Sequence, residues 1–126
     1  MATEHFTDDE LECRCGCGTL PSADFQYYLQ QLRYEYGKPM ILNSCARCPE
    51  HNDAVSTTGP CGPHTIGAAD VLIVGAEALE LLYHAYTLGW TGFGVQQWGP
   101  HSTRFLHLDR LPDSPGQPRP WIWSYP

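Results

Sequence analysis

Basic residues are scarce in this chain: seven Lys and Arg stand against fourteen Asp and Glu, for a formal net charge of −7. A sequence-independent nucleic-acid binder needs a basic footprint to neutralise phosphates, so that class is excluded. The same deficit removes electrostatic attraction to anionic envelope polymers, and binding must come from a local site. Long apolar runs are also missing. None approaches the roughly 18 residues that a membrane span needs, and no membrane partner is expected. The opening MATEHFTDDELE is acidic and polar, unlike the basic start and apolar stretch of a secretory signal. The expectation is synthesis in the cytoplasm, with any export by another route.

What is present describes one folded domain over residues 1–126. A composition 42% hydrophobic and 17% charged suits a globular chain with a single modest core. Residues 1–5 are expected to be flexible. The proline-rich tail, 111–126, is expected to pack on the domain, with Trp121, Trp123 and Tyr125 alternating as an extended segment would. A monomer is expected.

Phe25, Tyr28, Leu29, Leu32 and Tyr36 follow the i, i+3, i+4, i+7 spacing of one helix face. Ser22 is a suitable N-cap, and Gly37 with Pro39 closes that helix. MILNS, 40–44, reads as a short buried strand, and 46–63 as a long loop ending in STTGPCGP. DVLIV, 70–74, reads as a second buried strand. Residues 76–88 read as a second amphipathic helix, with Leu79, Leu82, Tyr83 and Tyr86 inward. GFGVQQW, 92–98, and RFLHLD, 104–109, are further strands, joined by a hairpin link, GPHST. This order predicts an α+β fold: a small, mostly antiparallel sheet with two main helices.

His64 closes a proline-bounded loop, and Asp70 stands at the start of a strand. His107 and Asp109 are two apart, so on a strand they share a face with Phe105, while Leu106 and Leu108 take the other. A single strand histidine is usually a satisfied core residue. A second His–Asp pair beside a strand points instead to a metal site, because two imidazoles and one carboxylate leave zinc a fourth position for water.

The six cysteines fall as Cys13, Cys15 and Cys17 in CRCGCG, Cys45 and Cys48 in CARC, and Cys61. Without an export signal such cysteines are more often metal ligands or free thiols than disulfides. Cys13, Cys17, Cys45 and Cys48 are the set expected for a second, structural zinc, which would tie the N-terminal segment to the Arg47 loop. Free buried thiols and disulfides stay open as alternatives.

Read together, several segments resemble the zinc D-Ala-D-Ala carboxypeptidase family, peptidase M15. NSCARCPEHN resembles its S-G-Y-R-S-x-x-x-N loop, GPHTIGAAD its S-x-H-x-x-G-x-A-x-D segment, and RFLHLD its W/F-x-H-x-D strand. FTDDELECRCGCG and LQQLRYEYGKPMILNS look like the small, single-domain branch found in phages and bacteria. The resemblance covers roughly residues 6–110. It implies a hedgehog/DD-peptidase-like fold, Zn2+ held by His64, Asp70 and His107, and Arg47 near the substrate. It also implies hydrolysis of a peptide bond in peptidoglycan stem peptides, either D-Ala-D-Ala or an endopeptidic bond such as L-Ala-D-Glu. A phage endolysin, released at lysis or carried on a virion to act on the cell wall, is one setting for that activity.

Three departures from the family pattern stand out. Asp70 follows His64 by six residues rather than seven, and Gly62 replaces the family serine. Arg104 occupies the place where many relatives carry a carboxylate base. The catalytic candidates are then His101, as acid/base or transition-state donor, and Asp109, which could instead orient His107. Arg47 or Arg104 could hold a substrate carboxylate. The alternative functions are a non-catalytic zinc-binding recognition or assembly module on the same fold, and a cysteine-based redox or metal-sensing module.

Overall fold

The computed structural model describes residues 4–56 and 62–126. In chain order its elements are α1 (Asp8–Leu11), α2 (Ala23–Tyr36), β1 (Ile41–Ser44), α3 (Pro49–Val55), α4 (Pro63–Ile66), β2 (Ala68–Leu72), α5 (Gly75–Thr87), β3 (Gly92–Gln96), a 3-10 turn (His101–Thr103), β4 (Phe105–Asp109) and β5 (Trp121–Ser124).

Local chemistry sets the boundaries of α2. The Ser22 hydroxyl accepts the Phe25 N–H at 3.1 Å, and Gly37 ends the helix at φ +76°, a left-handed cap that disfavours a side chain. Phe25, Leu29, Leu32 and Tyr36 are buried, and Tyr28 is half-buried at the margin. Within the first residues, His5 is tied down by its N–H, which donates to Gln30 Oε1 at 2.9 Å.

Residues 49–55 correct the long-loop expectation. Pro49 stands in the first turn of α3, where a missing N–H costs nothing, and the Cys48 thiol caps that turn by accepting the His51 N–H. Residues 57–61 of STTGPCGP, Cys61 among them, lie outside the described residues.

The five strands form one sheet in the order β1-β2-β4-β3-β5. β1–β2, β2–β4 and β3–β4 are antiparallel and β3–β5 is parallel, so the protein is a mixed α+β fold with a mostly antiparallel sheet. On one face Ala69, Val71, Phe93, Leu106 and Leu108 are buried beneath α2 and α5, which also pack on each other. The opposite face carries Asp70, directly across from His107 in the β2–β4 register. Gly94 pairs with His107 from β3 and with Trp123 from β5. The tail is thus a sheet strand beside the site, not only a cover.

α5 buries a different stripe from the one its spacing predicts. Ala78, Leu81 and Ala85 face the sheet, while Leu79, Tyr83 and Tyr86 are 65–68% exposed. Two alanines let the helix approach closely, and the bulky side chains are left to line an apolar groove with Pro120, Trp121 and Ile122. Among the described residues no helix is long and apolar enough to cross a membrane.

Candidate metal centre

β2 and β4 bring Asp70 and His107 together, and α4 supplies His64 from above. Gly67 links α4 to β2 against the Phe25 ring, where a Cβ would sit only 3.1 Å from Cδ1. This tight turn lets the shortened His64–Asp70 spacing still deliver the carboxylate to the cluster. Asp70 Oδ1 lies 3.1 Å from His64 Nε2 and 3.2 Å from His107 Nδ1. Oxygen and nitrogen ligands about 2.0–2.1 Å from zinc would be about 3.3 Å apart at tetrahedral angles, close to what is found.

The outer hydrogen bonds fix which nitrogen faces inward. His64 Nδ1–H donates to the Cys45 carbonyl at 2.7 Å, and His107 Nε2–H donates to Asp109 Oδ2 at 2.9 Å. In the neutral rings, His64 Nε2 and His107 Nδ1 therefore present lone pairs to Asp70. Asp70 Oδ1 is itself buried with no hydrogen-bond donor. Three acceptors meeting in a buried space require positive charge between them. A divalent ion satisfies all three at once, so His64, Asp70 and His107 fit a metal ion.

Protons can answer the same demand for positive charge. Burial works to raise the Asp70 carboxyl, but the two imidazoles outweigh it and hold the group well below the usual carboxylate range. Burial disfavours charge on His107, yet Asp109 and Asp70 raise its pKa, so the Asp70 carboxylate draws either a proton or a cation to this point.

Asp109 is 0% exposed and saturated with donors. Besides His107, it accepts Arg119 Nε at 3.0 Å, Arg119 Nη2 at 2.8 Å and the Leu111 N–H at 3.2 Å. Against the cost of burial, His107 and Arg119 bring its carboxyl down to about 2. It therefore has no free lone pair for a proton from the cleft. The expectation of a general base at Asp109 gives way to the orienting role.

The cleft above the cluster has a volume of about 520 Å³ and is lined by Arg47, Asn52, Val55, Ser56, Pro63, His64, Asp70, Phe105, His107, Trp123 and Tyr125. Arg47 Nη2 is 3.6 Å from Asp70 Oδ2, while Nε and Nη1 donate to Ser44 Oγ and Asn52 Oδ1, each at 3.2 Å. Its backbone N–H donates to the His64 carbonyl, joining the loop to the ligand. Trp123 packs its ring 5.0 Å from that of His107, and Phe105 packs against Tyr125 at 5.0 Å. Burial pushes the Tyr125 hydroxyl up to about 12.

His101 and Arg104 are elsewhere. His101 is exposed on the 3-10 turn and lines no part of the cleft. Arg104 donates through Nε to the Gly99 carbonyl and lines a groove beside α5 with Ala78 and Leu106. Strand alternation puts Arg104 on the Leu106 side, opposite Phe105 and His107, and the 3-10 turn holds His101 outside the cleft lining, so the structure brings neither to the cluster.

Cysteine sulfurs form a separate cluster of Cys13, Cys15, Cys17 and Cys48. Cys45, expected among them, is instead buried in the core, and burial pushes its thiol up to about 12. Arg119, Trp123 and Tyr125 are the site residues the sequence reading misses. Their only signal is an arginine followed by alternating aromatics.

A family model described as Peptidase M15 matches residues 4–109. Neither the curated proteins nor the solved structures contain a match. The matched span runs to the last residue of β4 and so takes in the Arg47 loop and all three converging donors; the chain belongs to the peptidase M15 family.

Proposed function

We propose that this chain is a zinc-dependent peptidase that cuts a peptide bond in peptidoglycan stem peptides, of the D-Ala-D-Ala or L-Ala-D-Glu type. The observation that carries the reading is the unpartnered Asp70 oxygen meeting two imidazole nitrogens at the floor of an open cleft. Family membership supports a peptidase, and the donor set suits zinc.

A zinc ion bound there would supply Lewis acidity, polarising an amide carbonyl and acidifying water. The Cys45 carbonyl and Asp109 would keep His64 and His107 in the required tautomers. Arg47 would engage a substrate carboxylate, a group present at the C-terminus of D-Ala-D-Ala and on D-Glu. Tyr125, still protonated at neutral pH, would donate a hydrogen bond to the carbonyl oxygen as negative charge develops on it. Phe105 and Trp123 would wall the peptide and exclude water.

One observation favours the non-catalytic module: among the described residues lining the cleft, Asp70 is the sole carboxylate. The experiment that separates the readings incubates zinc-loaded protein with purified peptidoglycan and with soluble stem peptides, identifying products by mass spectrometry. Cleavage by wild type that is abolished in His64→Ala supports the peptidase. Intact substrates of every wall chemistry tried, with zinc bound in the cleft, would overturn it in favour of the module.

A further inference from the structure

Outside the cleft, three thiols from the loop after α1 meet one from the start of α3. Cys13 Sγ lies 3.4 Å from Cys15 Sγ and 3.8 Å from Cys48 Sγ, and Cys15 and Cys48 are 3.7 Å apart. Cys17 completes the group, all four sulfurs lying within 4.8 Å of one another. These gaps are far beyond the roughly 2.05 Å of a disulfide. They match the edge of a zinc tetrathiolate: sulfurs about 2.3 Å from the ion are about 3.8 Å apart at tetrahedral angles.

The backbone is arranged for thiolates. The Cys48 N–H donates to Cys13 Sγ, and the His51 N–H to Cys48 Sγ, each at 3.4 Å. Gly16 and Gly18 take φ of +85° and +82°, which a side chain resists, and so fold CRCGCG tightly enough to aim three thiols at one point.

We infer that Cys13, Cys15, Cys17 and Cys48 form a second, closed metal site that binds one zinc ion and clamps the N-terminal loop to the segment carrying Arg47. Three sulfurs at tetrahedral-edge spacing and a fourth within 4.8 Å make a soft tetrathiolate set, which selects zinc over calcium or magnesium and leaves no position for substrate. The clamp closes on a short path to the cleft. The Ala46 N–H donates to the Leu11 carbonyl next to the cysteine loop. The preceding carbonyl, of Cys45, holds His64, and the following side chain, Arg47, faces Asp70. The inference is independent of the peptidase reading, since it rests on separate ligands.

The test counts zinc per chain by elemental analysis and native mass spectrometry, in protein purified under reducing conditions and never exposed to chelator. Wild type is expected to hold two zinc ions, and a Cys15→Ser, Cys48→Ser double variant one. A His64→Ala, His107→Ala variant should keep the thiolate-bound ion, and Cys45→Ala should keep both. Cobalt loading of wild type adds a readout that needs no variant to fold: the tetrathiolate gives intense sulfur-to-cobalt charge-transfer absorption, retained in the histidine variant. Absence of that absorption, an unchanged zinc count in the cysteine variant, or a metal-free mass lowered by disulfide formation would each overturn the inference.

Discussion

Arg119 grips Asp109 with two parallel hydrogen bonds, Nε to Oδ1 at 3.0 Å and Nη2 to Oδ2 at 2.8 Å, while Asp109 Oδ2 also holds His107. The Arg119 side chain is 7% exposed and that of Asp109 is 0% exposed, so the pair is shut away from water. The tail beyond the family match thus reaches the metal cluster through a chain of three side chains, Arg119, Asp109 and His107.

Arg119→Ala strands a buried carboxylate, and breaking a buried pair in this way costs roughly 3–5 kcal/mol. Loss of the partner that orients a metal-binding histidine costs about 10–100-fold in metal affinity. Urea unfolding and zinc titration are expected to show both losses. Arg119→Lys should fall between, because an ammonium restores the charge without the fork. A zinc affinity equal to wild type in the alanine variant would rule out the positioning role.

At Gly92 and Gly94, β3 leaves no room for a side chain on the site face. A Cβ on Gly92 would lie 2.2 Å from Asp109 Oδ1, and one on Gly94 would lie 2.6 Å from Tyr125 Oη and 2.7 Å from Trp123 Nε1. Overpacking typically costs about 1–3 kcal/mol, and Gly92→Ala should exceed Gly94→Ala because it intrudes on a fixed ion pair. Gly94→Ala should instead shift the Trp123 environment, read as a change in tryptophan fluorescence. Equal, small effects of the two variants would show that the tail yields freely.

How much of this was legible follows from where the information sits. His107 and Asp109 are two apart on a strand, and the alternation that buries Leu106 and Leu108 necessarily turns both toward the cleft. Asp70 needed the β2–β4 register, which a single sequence does not display. The face of α5 is misread because apolar spacing marks Leu79, Tyr83 and Tyr86 as readily as Ala78, Leu81 and Ala85; close packing on the sheet decides for the smaller set. α3 is hidden because Pro49 looks like a breaker and Cys48 is an unusual cap. Cys15 and Cys45 exchange places for a similar reason: the chain leaving β1 turns Cys45 into the core before Cys48 reaches the other thiols. Arg119 and Tyr125 flank β5, whose residues pair with β3 residues 29 positions earlier, as Gly92 with Trp121, a pairing no local pattern reveals.

Arg47 offers the cleft its cation from a loop anchored at Ser44, Asn52 and the His64 carbonyl. Hydrogen bonds to charged groups are worth about 1.5–3 kcal/mol, so Arg47→Ala should raise KM for a carboxylate-bearing stem peptide roughly ten- to a hundredfold. An amidated substrate should lose that dependence. Steady-state kinetics on both substrates, in both proteins, checks it. An equal penalty for the amidated peptide would mean that Arg47 serves the loop and not the substrate.

Tyr125 shares the cleft with the cluster and receives the Trp123 indole N–H, yet its raised pKa keeps its own proton in place. Removing one donor to a developing oxyanion costs roughly 10²–10³ in kcat, and Tyr125→Phe should show that loss with KM and zinc content unchanged. The pH dependence has a definite sign. The folded-state pKa, about 12, stands above the ordinary 10, so the folded protein holds this proton more tightly than the unfolded chain. The resulting stabilisation is complete below pH 10 and disappears as pH rises through 12. Denaturant midpoints measured across that window should fall more steeply for wild type than for Tyr125→Phe. A kcat equal to wild type in the phenylalanine variant would remove the phenol from the reaction. Identical alkaline slopes would show instead that the hydroxyl is not buried as the cleft geometry requires.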